Sequence, residues 1–179
     1  MKILSCFAAV ATVLFGTTIL AGEPSITTPE RIGIYDSRAV AVAFAGSDAQ
    51  KKSLAPLMEE HKKASATGDS KRVKELEAEG AARQKRAHQQ AFSTAPVDDI
   101  LEHIKDRLPD IKKEAGLPAT AELISKWDTS ALKRHKSAEQ IDITAALVDA
   151  FNPTDKQRKT ALEIQQQKPI TGWRAKLID

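Results

Sequence analysis

The chain has 179 residues, with 27 Lys and Arg against 24 Asp and Glu and a sequence pI near 8.9. It holds 28 alanines but only five Phe, two Trp and one Tyr, too few for the aromatic girdles of an outer-membrane barrel or for a broad layered core. The near-even charge excludes a dedicated nucleic-acid binder, and the alanine content suits helices packed along narrow seams.

Residues 1–24, MKILSCFAAVATVLFGTTILAGEP, begin with one Lys, continue in an apolar run from Ile3 to Ala21 and close on small residues. This is the layout of a Sec-type signal peptide. Cleavage after Ala21 removes Cys6, the single cysteine, and leaves about 158 residues that must be stable without disulfides. Left uncleaved, the run would be a membrane anchor, although Thr12, Thr17 and Thr18 dilute it as a span. Either way the expected location is the periplasm.

Residues 22–30 read as a flexible leader, with Pro24 and Pro29 among polar residues. RIGIYD (31–36) alternates and predicts a strand. SRAVAVAFAG (37–46) predicts a short helix capped by Ser37 and ended at Gly46. From Ser47 the chain turns polar. Leu54, Leu57, Met58 and His61 keep a helical stripe, and so do Val73, Leu76, Gly80 and Ala87, on either side of a break at 64–70. Gly68 stops one helix and Asp69 or Ser70 caps the next, which predicts an antiparallel helical hairpin over 47–94. Pro56 fits the first turn of a helix capped by Ser53, or otherwise kinks the arm. Residues 51–90 carry ten Lys and Arg against six Asp and Glu, so the positive charge concentrates on this hairpin.

Thr94 and Pro96 predict a helix restart. Val97, Ile100, Leu101, Ile104, Leu108 and Ile111 then make the strongest amphipathic stripe in the chain, kinked at Pro109. AELISKW (121–127) and SALKRH (130–135) read as strands. DITAALVDAF (142–151) reads as a helix capped by Asp142, and Asn152-Pro153 stops it. Thr154 and Gln157 form a capping box that opens a last polar helix through Gln167. The fold class expected is α+β and mostly helical: a body of 31–46 and 97–152 with about three short strands, a protruding antiparallel coiled-coil hairpin, and a C-terminal helical extension over 153–179.

The matching order, together with RIGIYDSRAVAVAF and ELISKWDTSAL…DITAALVDAF, resembles the Skp/OmpH family of periplasmic chaperones. The strand closing in Asp128, the Ala131-Leu132 pair and Asp142-Ile143-Thr144 carry the resemblance, which covers 31–152 by architecture and only the two ends by residue pattern. It implies a homotrimer with a central β body and tentacle-like arms that hold unfolded outer-membrane proteins without ATP. Client contacts would fall on Lys51, Lys52, Leu54, Leu57, Met58, Lys62, Lys63, Lys71, Arg72 and Lys74. The oligomer body would involve Ile32, Ile34, Leu123, Ile124, Leu132, Ile143 and Leu147. The chain departs from the family in its shorter arms, the restart at Ser93–Pro96, His135 in place of an aromatic, and residues 153–179.

Catalytic chemistry finds no footing in the sequence. His61, His88, His103 and His135 are scattered outside any zinc spacing, and Glu59-Glu60-His61 reads as a hydrated helix face. There is no G-x-S-x-G, H-E-x-x-H, C-x-x-C or phosphate loop, so no enzyme, cofactor or metal is expected. Asp98-Asp99 belongs to a helix's first turn, and Trp127 to the core. Trp173 lies in the polar tail. The basic arms would also suit anionic lipid or lipopolysaccharide, whereas nucleic acid is not expected. The other class of function is an envelope scaffold or adaptor that uses the same body to tether a partner.

Overall fold

The computed structural model describes residues 30–170. The signal, the leader up to Pro29 and Trp173 lie outside the described residues. Strand β1 (Arg31–Tyr35) leads into helix α1 (Ser37–Phe44), followed by the long helices α2 (Asp48–Thr67) and α3 (Ser70–Ala91). Short helices α4 (Asp98–Glu102) and α5 (Leu108–Glu114) flank a 3-10 turn at Lys105–Arg107. Then come β2 (Leu123–Ser125), α6 (Thr129–Arg134), β3 (Glu139–Asp142), α7 (Thr144–Asp149) and α8 (Asp155–Glu163), with a closing 3-10 turn at Ile164–Gln166. The protein is mostly helical around one small sheet.

That sheet is parallel throughout, in the order β2-β1-β3. β1 is central because both of its faces are apolar. Ile32 is buried and Ile34 half-buried on one face, packed with Ile124, Ala131 and Leu132. Tyr35 and Gly33 lie on the other, against the main cluster of Val40, Val97, Ile100, Ile143, Leu147 and Val148. A Cβ at Gly33 would stand 2.7 Å from Leu123 and 3.0 Å from both Ile143 and Leu117, so only glycine lets those side chains close over the strand.

Several local expectations need correction. Asp36, not Ser37, caps α1: its Oδ1 accepts from the Arg38 backbone N–H at 3.0 Å. Ser47 caps α2, its Oγ accepting from Gln50 N at 3.2 Å, so the helix starts before Ser53 and runs through Pro56 at an exposed interior position. Thr94 is no cap. Its N–H and hydroxyl both donate to the Gln89 carbonyl and close α3, while Ser93 turns the chain at φ 57°. The predicted single helix over 97–111 is split, and Pro109 sits in the first turn of α5, where its missing N–H costs nothing. Its apolar stripe is nevertheless buried at Val97, Ile100, Leu101, Ile104 and Ile111.

Residues 130–135 are not a strand. Asp128 Oδ1 accepts from Ala131 N at 2.8 Å and starts α6, whose Ala131 and Leu132 pack on Ile32 and Ile124. The third strand is β3, in the polar segment after α6. Its register with β1 is held at the ends by Glu139 N–H to Glu30 O at 2.7 Å and Ile143 N–H to Ile34 O at 2.9 Å. Other boundaries hold: Gly68 ends α2 at φ 71°, Asp69 caps α3, and Thr154 and Gln157 form the capping box of α8. α8 lies on α1 and α7 with Ala161 fully buried in the main cluster, so residues 155–163 belong to the body.

Candidate functional site

α2 and α3 lie almost wholly outside the two core clusters. α2 and α3 fold back on each other through the Gly68 turn: Arg72 bonds Glu60 at 2.6 Å, and Arg83 Nη1 reaches the Ser53 carbonyl at 3.5 Å. The seam between them is thin. Ala64 is the buried residue of α2, and Leu76 and Gln90 are those of α3. The rest of both helices faces water or is half-buried, as a polar sequence with an alanine stripe requires.

Of the expected client-contact residues, Lys51, Lys52, Met58, Lys62, Lys63, Lys71 and Lys74 are exposed, while Leu54, Leu57 and Arg72 are half-buried. Met58 stands 67% exposed and is the large hydrophobic left open among the described residues. Arg72 is committed to Glu60 and Glu75, and these hydrogen bonds raise its pKa further. Lys51 bonds Asp48 at 3.0 Å, an exposed pair that solvent weakens.

At the root of the arms an apolar groove of about 430 Å³ opens between α1, α2 and α3, lined by Val42, Phe44, Leu54, Gly80, Ala87 and Ile100 among others. The root itself is pinned. Gln90, almost fully buried, donates to Asp99 Oδ1 at 2.6 Å and to the Pro96 carbonyl at 3.0 Å, and Arg86 bonds Asp99 Oδ2 at 2.9 Å. Burial would raise the Asp99 carboxyl, but the Arg86 hydrogen bond and charge outweigh it and hold the pKa low. Asp99 therefore fastens arm to body, while Asp98 and Asp99 together open α4.

The second polar cluster lies at the carboxyl ends of the parallel strands, where ligands bind in many open parallel sheets. Asp36 and Arg38, 1% and 3% exposed, form a 2.8 Å ion pair. The Trp127 indole N–H donates to Asp36 Oδ1 at 3.0 Å, and the Arg38 guanidinium lies 4.5 Å from the Trp127 ring centroid. Arg38 Nη1 donates to the Gln167 carbonyl at 3.0 Å, which ties down the chain beyond α8. Burial pushes Asp36 up, but the Arg38 and Trp127 hydrogen bonds prevail and its pKa is lowered. Among the described residues every side-chain nitrogen and oxygen fully shut off from solvent has a partner. This cluster is saturated, and it acts as a clasp rather than an open site. Reading Trp127 as core missed it; an Asp at a strand end two residues before an Arg was the available signal.

Of the expected oligomer-body residues, Ile32, Ile124, Ile143 and Leu147 are buried within one chain, and Ile34, Leu123 and Leu132 are half-buried. A single chain thus closes both faces of its sheet and leaves open the outer edges of β2 and β3. No group of three or more His, Cys, Asp or Glu among the described residues is arranged to hold a metal, and no described helix is long and apolar enough to cross a membrane. No protein-family model, curated protein or solved structure matches this chain.

Proposed function

We propose that this chain is a non-enzymatic, ATP-independent holdase of the periplasm that keeps unfolded outer-membrane or other envelope proteins from aggregating, as the resemblance to Skp/OmpH chaperones implies. One observation carries the reading: two helices of 20 and 22 residues leave the body with hardly a buried side chain between them. Their ten Lys and Arg against six Asp and Glu over 51–90 steer acidic segments of a client, and Met58 with the apolar groove at the root offers adaptable contact without an aggregating patch. The resemblance further implies self-association into a trimer with three arms around one space. The same basic arms suit anionic lipid or lipopolysaccharide.

The scaffold alternative draws on the shorter arms and the extra C-terminal helix, whose Ala161 packs into the body. Size-exclusion chromatography with a urea-unfolded β-barrel protein tests the holdase reading. Co-elution of client and chain is the expected result, and separate elution at all ratios contradicts it.

A further inference from the structure

Beside the saturated clasp lies a different place, a cavity of about 350 Å³ along the outer edge of β2, between the 93–98 loop and α6. Gly33 N–H donates to the Glu122 carbonyl and Lys126 N–H to the Tyr35 carbonyl, so Glu122, Ile124 and Lys126 direct their backbone groups at β1. By alternation the N–H and C=O of Leu123 and the N–H of Ser125 face outward, unused by the sheet. An extended chain laid here would find a short row of hydrogen-bonding groups.

The side chains around that edge select its charge. Asp98, Glu122 and Asp128 line the cavity against one base, Arg134. They do not converge as a metal site, which favours cationic groups spaced along a chain over a single ion. Tyr35 lines the cavity at 5% exposure. Burial, and then the charges of Asp98 and Asp128, push the Tyr35 phenol up to about 12, so at neutral pH it is protonated and can donate a hydrogen bond into the cavity.

We infer that the β2 edge is a docking groove for an extended peptide bearing Lys or Arg, which adds a strand to the sheet while its cationic side chains meet Asp98 and Asp128 on the Tyr35 side or, on the other side, Glu122, which stands 3.3 Å from His135. The groove is on the body, away from the exposed arms, and the inference goes beyond the holdase reading and does not depend on it.

The probes are a capped Thr-Lys decapeptide, its Thr-Glu counterpart, and the Thr-Lys peptide N-methylated at alternate residues, titrated into the full chain with amide NMR readout. The Thr-Lys peptide should bind at least tenfold more tightly than the Thr-Glu peptide, shift the Leu123 and Ser125 amides, and weaken at least tenfold on N-methylation. D98K together with E122K, both at exposed positions, should reverse the preference between the two charged peptides. Equal binding of the two, shifts located elsewhere, or full binding of the N-methylated peptide overturns the inference. So does binding that appears only after removal of residues 171–179, which would make the chain's own tail the occupant, or a groove covered by a second copy at working concentration.

Discussion

The Asp36–Arg38 pair fixes the end of the central strand to the start of α1 and, through Trp127 and Gln167, to two distant segments. Its worth lies in completeness: removing one partner strands a buried charge. Arg38→Met should therefore destabilise the protein by about 3–5 kcal/mol in urea unfolding, far more than loss of an exposed pair such as Lys51–Asp48. The pH dependence is set by the direction of the Asp36 shift. A carboxyl held below its unfolded value of 3.8 contributes stability that is present above that value and lost as pH falls through the folded pKa. Wild-type stability should thus decline on acidification below about pH 4, and Asp36→Asn should be less stable at neutral pH and lose less on acidification. Gly80 sets an opposite case. A Cβ there meets nothing within 4 Å, so Gly80→Ala should raise stability by about 0.5–1 kcal/mol through helix propensity alone.

At the scale of elements, the arms depend on one thin seam and one root. Leu76 is 2% exposed between α2 and α3, outside both body clusters. Leu76→Ala should cost about 2–4 kcal/mol locally, seen as faster amide exchange in α2 and α3 while the amides of β1 keep their protection. The break between α2 and α3 was legible in the sequence because its signals are local: Gly68 takes a positive φ, and Asp69 caps α3 directly after it. The apolar stripe of 97–111 was legible for the same reason. β3 was not, since EQID has one apolar residue and is specified by pairing with a strand more than a hundred residues away. Residues 130–135 misled because six residues with Ala131 and Leu132 side by side fit either period, and the Asp128 cap, the deciding local signal, was read as a strand end. The clasp escaped because its members meet only through the parallel topology.

At the scale of the whole molecule, scarce aromatics do not leave the core incomplete. A chain with so few of them is expected to need copies of itself, yet Ile32, Ile124, Ile143 and Leu147 are buried within one chain. They are helped by Ala39, Ala43 and Ala161, which let α1 and α8 approach closely. In the proposed trimer, self-association would serve to gather arms rather than to complete a core. The most direct test is aggregation suppression. A urea-unfolded β-barrel protein is diluted with the intact chain and with a variant whose residues 59–78 are replaced by a short glycine-rich turn. The intact chain should suppress light scattering at stoichiometric excess, and the shortened variant should lose that protection while keeping the same unfolding midpoint for its body. Absence of protection by the intact chain, or equal protection by both, would contradict a holdase built on these arms.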